Sequence, residues 1–281
     1  MAVSKKVSLI MAAYNAEATI RESIDSILNQ TFKDWEFIIC DDGSTDATWE
    51  ILQGYAQRYP EQFIVIQNEK NQKLPYSLNR CLEHAEGEYV ARMDADDRSS
   101  PMRLEKQVAF LDANPEMDVV GTGMSCFDGD RETGVRFPPK KPGPEIIGLG
   151  VPFFHATIMM KRSVYQALGG YSLEPYVLRC EDVDLWMRFF AAGYKGANLP
   201  EPLYEVREDK AASKRRNLRN GLNASRTLLH GYRAYHYPLK QHVFVLKPIL
   251  STLTPQRWKF YLNQRRWKKN TQNENSFNKL K

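Results

Sequence analysis

Carboxylates follow two apolar runs of the chain, an arrangement that can hold a cation or a phosphate. Asp41 and Asp42 come directly after "WEFIIC", and Asp94 and Asp96 come at the end of "EYVARM". Asp94 and Asp96 are two residues apart, so at a strand end both side chains can turn to one side, where a hard divalent cation can hold them. The spacing is compatible with metal or phosphate chemistry and equally with a solvated acidic loop.

The turn after the first acidic pair has an ordinary explanation. Gly43 can bend the chain, and Ser44 or Asp46 can cap the helix that follows. This leaves the paired acids unexplained. A carboxylate at a strand tip can accept a hydrogen bond from a base N–H or a ribose hydroxyl, as acids do in nucleotide-binding α/β folds. We expect Asp41, the first acid of the pair, to stabilise the turn.

A third acidic group, Glu181, Asp182 and Asp184, opens the helical pattern in "RCEDVDLW". The helix dipole favours acids in a first turn, but in a chain with two other acidic clusters a general base is a second interpretation. Two further side chains also have two interpretations each. Tyr14 is either a flat surface for a base or a half-buried aromatic, and His155 is either a core histidine or a metal ligand.

Alternating strand and helix patterns position these residues. Near-continuous apolar strands separated by helices are typical of an α/β fold with a mostly parallel, Rossmann-like sheet covered on both faces. Ligands of such sheets bind beyond the carboxyl ends of the strands, so both acidic pairs are expected at one sheet edge. The predicted strands are 7–14, 35–40, 63–67 and 88–93, and the predicted helices are 18–28, 46–59 and 75–85.

Further elements are predicted after residue 100. A helix is expected over 101–114, with Ser100 as its N-cap and Pro101 in its first position. The other predictions are a strand over 119–124, a mobile loop over 134–144, an apolar segment over 153–162 and a helix over 181–193.

Charge is divided unevenly along the chain. Residues 210–281 hold 17 Lys and Arg and one acid, a net of +16, whereas residues 1–209 hold 22 basic and 33 acidic residues, a net of −11. We therefore expect an acidic body, 1–209, and a basic helical C-terminal extension, 210–281. Such asymmetry indicates an anionic partner for the extension.

The extension has two interpretations. Thr254 and Pro255 can start a helix in which Trp258, Tyr261 and Leu262 recur at helical spacing among basic residues. Such a helix can adsorb to an anionic membrane surface, or it can pack on the body with a solvated basic face. No nucleic-acid recognition motif is present, so we expect no nucleic acid partner.

Cysteine usage and hydropathy bear on the compartment. None of the four cysteines belongs to a CxxC pair, which predicts reduced thiols in a cytosolic protein and no zinc site. No segment approaches the roughly 20 apolar residues of a membrane span. We expect a cytoplasmic protein.

Four segments carry a family resemblance. They are "VSLIMAAYNAEATIRESIDSILNQTFKDWEFIICDDGSTD", "GEYVARMDADD" followed by "RLEKQVAFL", "HATIMMKR" and "EDVDLWMR". In this order and spacing they resemble family-2 glycosyltransferases of the GT-A fold, which are inverting enzymes that use nucleotide sugars. The resemblance covers residues 7 to about 206 and leaves the basic extension outside. "ARMDADD" is especially similar to bacterial enzymes that build capsule, O-antigen or lipooligosaccharide chains.

The resemblance implies a nucleotide-sugar donor site. Ala13 and Tyr14 would border the nucleotide base, and Asp42 would bind the uracil if the donor is a UDP-sugar. Arg92 and Ala95 would lie against the phosphate or sugar of the donor. The expected product is a saccharide or lipid-linked saccharide extended by a hexose or N-acetylhexosamine, made on the inner face of the cytoplasmic membrane.

The resemblance also implies a metal and a base. Asp94 and Asp96 would form the DxD pair, with Asp96 nearest to Mg²⁺ or Mn²⁺ on the diphosphate and Asp94 toward the ribose and sugar. His155 is a third candidate ligand. Asp182 would deprotonate the acceptor hydroxyl, with Glu181 beside it. The cation would neutralise charge on the leaving nucleoside diphosphate, and one base suffices for single-step displacement with inversion.

The sequence departs from the family pattern at two places. Lys73 and Pro75 stand where relatives often carry a glycine, and Arg98 stands where relatives often have a branched residue. Arg98 is either a phosphate contact or a surface arginine.

Two other classes of protein share parts of the pattern. A sugar-nucleotide nucleotidyltransferase also uses acidic metal ligands, but it needs a glycine-rich basic loop after the first strand, which "AAYNAEAT" lacks. A phosphoacceptor signalling module also has paired acids at one sheet edge. That module is typically about half as long, and the acidic helix at residues 181–193 has no place in it.

Overall fold

Nine strands form one mixed sheet in the computed structural model, which describes residues 5–129, 131–208 and 218–253. The strands are β1 (Val7–Ala13), β2 (Trp35–Asp41), β3 (Phe63–Gln67), β4 (Tyr89–Arg92), β5 (Arg98–Ser99), β6 (Val119–Asp128), β7 (Arg131–Arg136), β8 (Met159–Lys161) and β9 (Gly196–Arg207). Their order across the sheet is β3-β2-β1-β4-β8-β6-β9-β5, and β7 pairs with β6.

Helices cover both faces of this sheet. The α-helices of the described residues are α1 (Ile20–Leu28), α2 (Thr48–Arg58), α3 (Leu74–His84), α4 (Arg103–Ala113), α5 (Arg162–Leu168), α6 (Glu181–Ala191), α7 (Leu218–Ala234) and α8 (Lys247–Leu253). Short 3₁₀ segments span Pro144–Ile146, His155–Thr157, Pro175–Val177 and Leu239–Leu246.

The first four strands are parallel, as the sequence predicts. β1 pairs with β2 on one side and with β4 on the other, and β2 pairs with β3, all in parallel. Because β2 and β4 flank the same strand and run in the same direction, the acids that follow them lie at one edge of the sheet.

The other half of the sheet mixes directions. β8 is antiparallel to β4 and β6, β9 is parallel to β6, and β5 is antiparallel to β9. Strand β9 has no counterpart among the predicted elements. The loop predicted over 134–144 is wrong at its start, because Gly134–Arg136 belong to β7 and pair with Met124–Cys126 of β6.

Alternate side chains of β1 enter two separate cores. Leu9 and Met11 pack with α1, α2 and α4, whereas Ile10 packs with α3, α5, α6 and α7. All three side chains are fully buried. The near-continuous apolar strands of the sequence therefore correspond to a sheet buried on both faces.

The predicted start of α4 needs a correction. Ser100 is not an N-cap, because α4 begins at Arg103 and the residue at its N-cap position, Met102, makes no side-chain cap. The Ser100 N–H donates to the Leu203 carbonyl and its own carbonyl accepts the Arg103 N–H, both at 3.0 Å. Ser100 thus continues the pairing of β5 with β9, which holds it outside the helix.

The described part of the basic extension packs on the body. The Tyr232 hydroxyl donates to the Ile147 carbonyl at 2.9 Å, and the Tyr237 hydroxyl donates to the Met187 carbonyl at 3.3 Å. Both tyrosines are buried in the core that also contains α6. Residues 218–253 thus share a core with the body, whereas the choice between packing and membrane adsorption was made for a helix after Thr254 and stays a prediction.

The predicted aromatic and basic helix with Trp258, Tyr261 and Leu262 lies outside the described residues. None of the helices in 5–129, 131–208 and 218–253 has both the length and the apolar character that crossing a bilayer requires. The four cysteines are all buried and free.

Candidate functional site

Hydrogen bonds join the loops that follow β1 and β2. The Asn15 N–H donates to the Ser44 hydroxyl, and the Thr45 N–H donates to the Asn15 side-chain oxygen, both at 2.9 Å. Asn15 has a φ of 49°, a left-handed conformation that asparagine tolerates better than most residues. Next to it, Ala13 is buried in β1 and Tyr14 is 48% exposed, so the Tyr14 ring stands at the sheet edge.

Asp42 is almost fully buried and organises the loop after β3. Its Oδ1 accepts hydrogen bonds from Asn68 Nδ2 and the Gln72 N–H, both at 2.8 Å, and its Oδ2 accepts the Lys73 N–H at 2.9 Å. A carboxylate offers about four acceptor positions. Three of these positions are occupied by protein donors.

Asp41 stabilises the turn, as expected. Its carboxylate accepts the Ser44 N–H at 3.3 Å and Gln67 Nε2 at 2.9 Å. Neither expected cap is at the N-cap position of α2, which Ala47 occupies without a side-chain cap. Asp46, one residue earlier, accepts the N–H of Thr48, the first residue of α2, at 3.0 Å. The two neighbouring acids therefore have different partners, since Asp41 binds its own turn and Asp42 binds the 68–73 loop.

The departure at Lys73 has a structural counterpart. Lys73 has a φ of 78°, in the left-handed region that favours glycine. A side chain on Gly43 would place its Cβ 2.7 Å from the Lys70 carbonyl carbon, so the loops after β2 and β3 approach closely here. This edge of the sheet is thus built from two loops whose backbones approach closely.

Arg92 and Asp94 form a two-pronged ion pair at the end of β4. Arg92 Nη1 lies 3.2 Å from Asp94 Oδ2, and Arg92 Nη2 lies 2.7 Å from Asp94 Oδ1. Arg92 is 4% exposed, whereas about a third of the Asp94 side chain is accessible. Paired N–H···O bonds of this kind fix the carboxylate plane as well as its position.

The backbone of residues 94–97 is held by side chains from distant elements. From α1 and the residue before it, Ser23 donates to the Asp94 carbonyl at 3.1 Å and Thr19 donates to the Ala95 carbonyl at 2.9 Å. From β9, Arg207 Nε donates to the Asp96 carbonyl at 2.9 Å. The Tyr204 hydroxyl of the same strand accepts the Asp94 N–H at 3.0 Å. The conformation of this acidic segment is therefore set by α1 and β9.

Asp97 differs from its neighbours because it is buried. Its carboxylate accepts the Arg207 N–H at 2.9 Å. Burial, together with the negative charges of Asp94 and Asp96, raises the pKa of Asp97 to about 8. We therefore assign Asp97 to the support of the segment, while the side chain of Asp96 is exposed at its tip.

The first turn of α6 contains three acids in different environments. Asp184 pairs with Arg188 at 2.8 Å, which accounts for it structurally. Burial raises the pKa of Asp182, and the Val183 N–H and Arg92 lower it in part. Burial also raises the pKa of Glu181, whose Oε2 is buried without a hydrogen-bond partner. Asp182 and Glu181 are thus the two acids of this helix that are available for chemistry.

His155 is partly buried and is linked to two buried tyrosine hydroxyl groups. Its Nε2 lies 2.9 Å from the Tyr171 hydroxyl, which in turn lies 3.2 Å from the Tyr165 hydroxyl. Burial, with Arg92 nearby, holds the pKa of His155 well below its usual range, so the ring is neutral. Its edge also packs against Trp186 of α6.

The acidic pair after β4 fits a hard cation held together with a phosphate. In proteins Mg²⁺ is usually bound through one or two carboxylates and the phosphates of the substrate. Asp96 is exposed and the Asp94 carboxylate is partly accessible, which suits that arrangement. No cluster of three or more His, Cys, Asp or Glu side chains that could hold a metal ion occurs within the described residues. The structure therefore does not bring His155 into one ligand set with this pair.

Arg92 is the side chain that the two halves of the site share. It contacts Asp94 directly, and its charge also acts on Asp182, Glu181 and His155. The site thus combines an acidic pair that follows β4, a base candidate on α6 and a buried arginine at the end of β4 that acts on both.

The parallel βα units, the mixed far edge and the acidic segment after β4 define a GT-A fold. Comparison with protein families agrees, since residues 8–169 match the model of glycosyl transferase family 2. The chain belongs to this family and is a glycosyltransferase. The family assignment sets aside the nucleotidyltransferase and the signalling module as alternatives.

Named relatives resemble the chain over most of its length. It is 47% identical over 250 residues to the putative glycosyltransferase EpsE of Bacillus subtilis, which covers 89% of this chain and 90% of the relative. It is 30% identical over 237 residues to the Escherichia coli enzyme named UDP-Glc:alpha-D-GlcNAc-diphosphoundecaprenol beta-1,3-glucosyltransferase WfaP, covering 82% of this chain and 88% of that one.

Solved structures share the fold at lower identity. Staphylococcus aureus TarS 1–349 in complex with UDP-GlcNAc gives a TM-score of 0.68 at 22% identity, covering 88% of this chain and 71% of that chain. The mannosyltransferase PcManGT of Pyrobaculum calidifontis, in complex with GDP-Man and Mn²⁺, gives a TM-score of 0.60 at 19% identity, covering 94% and 80%.

Several residues that build the site were not predicted from the sequence. Ser23, Thr19, Tyr204 and Arg207 act on the acidic segment across 71 to 111 residues of chain. Tyr171 acts on His155 from another element. No motif contains these contacts. Tyr204 and Arg207 could have been placed near the acidic segment only if the pairing of β9 with β6 and β5 had been predicted.

Proposed function

We propose that the chain transfers a hexose or N-acetylhexosamine, with inversion, from a UDP-sugar to a saccharide or lipid-linked saccharide in the synthesis of a bacterial surface polysaccharide. The observation that carries this proposal is the position of Arg92, which contacts Asp94 on the donor side and acts electrostatically on Asp182 on the other side. A transferase needs these two functions next to each other, because the donor and the acceptor hydroxyl must meet.

The donor nucleotide lies on the loops after β1, β2 and β3. Tyr14 stacks on the base, beside Ala13, and Asp42 accepts the uracil N–H through its Oδ2. The names of two similar proteins support a UDP-sugar, since WfaP is named for UDP-Glc and TarS is described with UDP-GlcNAc.

Asp96 would hold Mg²⁺ or Mn²⁺, while Asp94 would face the ribose and sugar and Ala95 would lie against the donor. When bound, the cation neutralises the charge that develops on the leaving diphosphate. PcManGT, whose structure contains Mn²⁺, supports a divalent cation. Arg92 orients the Asp94 carboxylate toward this site.

Asp182 takes the proton of the acceptor hydroxyl, with Glu181 beside it. A raised pKa makes a carboxylate a stronger base, and burial raises the pKa of Asp182. His155 has Tyr171 as its partner, so we place it behind the acceptor side as a neutral positioning residue. Because the acceptor of WfaP is named as a diphosphoundecaprenol-linked sugar, we place the reaction in the cytoplasm at the inner face of the membrane.

Donor screening followed by an Asp182→Asn variant tests the proposal. UDP-, GDP- and dTDP-sugars are compared by thermal shift with and without Mn²⁺, because a ligand of the folded state raises its stability. We expect a UDP-sugar to give the largest shift. Asp182→Asn should keep that shift and lose transfer by about a hundredfold or more, and the anomeric configuration of the product should be inverted relative to the donor.

Near wild-type transfer by Asp182→Asn would show that the base lies elsewhere. The matched control is Asp184→Asn on the same helix, whose carboxylate is occupied by Arg188. This variant should lower thermal stability and keep transfer at temperatures where it is folded.

A further inference from the structure

Four well-exposed aliphatic side chains lie on two segments that are close in space, one around residues 148–151 and the other the 3₁₀ segment Leu239–Leu246. Leu149 and Val151 are 44% and 47% exposed, and Val243 and Leu246 are 64% and 57% exposed. We call these four residues the apolar patch. Isolated exposed aliphatics are ordinary, but a contiguous group of them marks an interaction surface.

Contacts between the two segments make the patch continuous. Lys247 Nζ donates to the Gly148 carbonyl at 3.1 Å, and it also donates to the carbonyl of Leu149. A Cβ on Gly148 would lie 2.9 Å from the Cβ of Phe244, so the two backbones approach closely at this point. Gly148 has a φ of 80°, a conformation that glycine adopts without strain.

The segment that contributes Val243 and Leu246 to the patch carries only positive charge, whereas the segment with Leu149 and Val151 follows the exposed Glu145. Residues 218–253 contain no Asp or Glu and five basic residues, all of them exposed. They are Arg219, Arg226, Arg233, Lys240 and Lys247. In the sequence that follows, residues 254–281 add eight basic residues and one acid. Exposed aliphatics within a basic surface fit a partner that is apolar below an anionic layer.

We propose that the apolar patch docks the enzyme on an anionic lipid bilayer, with the aliphatic side chains among the acyl chains and the basic residues at the head groups. A second copy of the chain fits less well, because the five basic residues of one copy would face the same five of the other and repel them. Residues 254–281 also fit less well, because they would bring a net charge of +7 against the same basic surface.

The position of the patch relative to the site gives docking a purpose. The segment with Leu149 and Val151 continues through Phe153 to His155, so the patch lies a few residues from the acceptor side. A lipid-linked acceptor would then reach the site from the bilayer on which the enzyme rests. This purpose rests on the proposed function, whereas the docking itself does not require a donor or a metal.

Co-sedimentation of the full chain with vesicles, without substrates, tests the inference. We expect the protein to bind vesicles that contain phosphatidylglycerol, to bind pure phosphatidylcholine weakly and to bind less at high salt. Val243→Gln combined with Leu246→Gln should weaken partition to the anionic vesicles by about tenfold or more, since two aliphatic side chains are lost from the contact. Both residues are exposed, so the variant should keep the wild-type unfolding temperature.

Met102→Gln is the matched control, because Met102 is 46% exposed at the start of α4, far from the patch in sequence. It should bind vesicles like the wild type. The inference is wrong if the wild type does not bind anionic vesicles, or if the double variant binds them equally well. It is also wrong if the wild type is a dimer that the double variant converts to a monomer, since a second copy would then cover the patch. Donor thermal shifts are measured separately, so failure here is distinct from failure of the proposed transferase.

Discussion

At the scale of single residues, the site depends on carboxylates that are similar in sequence and different in environment. Asp41, Asp42, Asp182 and Asp184 each occur in an adjacent or alternating acidic group, and each has its own partners. From the sequence, Asp42 and Asp182 are candidates for the site, Asp41 is expected to stabilise the turn, and Asp184 is one of three acids at the start of a helix. The sequence does not determine these roles, because hydrogen-bond partners and burial decide which carboxylate supports the fold and which one remains available for chemistry.

The raised pKa of Asp182 makes both activity and stability depend on pH. The base must be ionised, so the acid limb of kcat/KM should lie above the usual aspartate pKa of about 3.9. A pKa that is raised in the folded state means that folding favours the protonated carboxyl, so this group costs stability once pH exceeds the unfolded value. Asp182→Asn should therefore raise the unfolding temperature at neutral pH, and the gain should vanish at low pH.

Thermal unfolding of both proteins across a pH series measures this effect. Asp184→Asn should instead lower the unfolding temperature at neutral pH, because it removes a carboxylate that is paired with Arg188. A constant difference between Asp182→Asn and the wild type at every pH would contradict the assignment of a raised pKa.

Substitution of Arg92 can distinguish whether its charge or its two-pronged geometry orients the Asp94 carboxylate. Arg92→Lys keeps the positive charge and loses the fork that grips both oxygens of Asp94. We expect kcat/KM to fall about ten- to a hundredfold, as is typical when a residue that orients a ligand is changed. The apparent affinity for Mn²⁺ should weaken in parallel, measured as the concentration for half-maximal activity. Unchanged metal affinity would limit the role of Arg92 to the acceptor side.

At the scale of elements, α4 connects the two halves of the site through buried polar contacts. Gln107 donates to the carbonyls of Val120 and Thr157 at 3.0 and 2.8 Å and accepts from Arg103 at 3.1 Å. Arg103 in turn donates to the Arg92 carbonyl at 2.6 Å. The helix therefore supports both β4 and the 3₁₀ segment that contains His155.

Gln107→Leu should destabilise the protein by about 2–4 kcal/mol, because two buried carbonyls lose their donor and apolar packing does not replace it. Denaturant unfolding gives the magnitude. Gln53→Leu on α2 is the same substitution at an exposed helical position, and it should change the free energy of unfolding by less than about 0.5 kcal/mol. Equal effects of the two substitutions would mean that the Gln107 contacts contribute no net stability.

The predictable elements are those with a local pattern. β1 to β4 and α1 to α3 follow from apolar periodicity within each segment, and their parallel order follows from the alternation of strands and helices. β9 was not predictable in this way, because "GANLPEPLYEVR" contains two prolines and its paired residues in β6 and β5 are about 77 to 107 residues away in sequence. Tyr204 and Arg207 were not predicted for the same reason, because their contacts with residues 94–97 depend on the pairing of β9.

At the scale of the whole molecule, the chain divides by charge but not by core. The basic residues from 218 to 253 belong to the extension in the sequence, yet Leu228, Tyr232 and Tyr237 are buried with Met187 and Trp186 of α6. Helix α6 also carries Asp182, so the extension supports the element that positions the proposed base. The net charge of the chain changes sign near residue 209, but residues from both sides of this point are packed in the same hydrophobic core.

A chain that ends at Glu208 should therefore be strongly destabilised. Each large apolar side chain that is withdrawn from a core costs about 1.5–3 kcal/mol, and the loss of three is comparable to the total stability of about 5–15 kcal/mol. Because the truncated chain can fail to fold, Tyr232→Ala in the full chain provides the quantitative test, with an expected loss of about 3–5 kcal/mol. Leu239→Ala, at an 85% exposed position of the same extension, is its control and should be near neutral. Wild-type stability of Tyr232→Ala, or full activity and stability of the chain that ends at Glu208, would show that the catalytic body is independent of the extension.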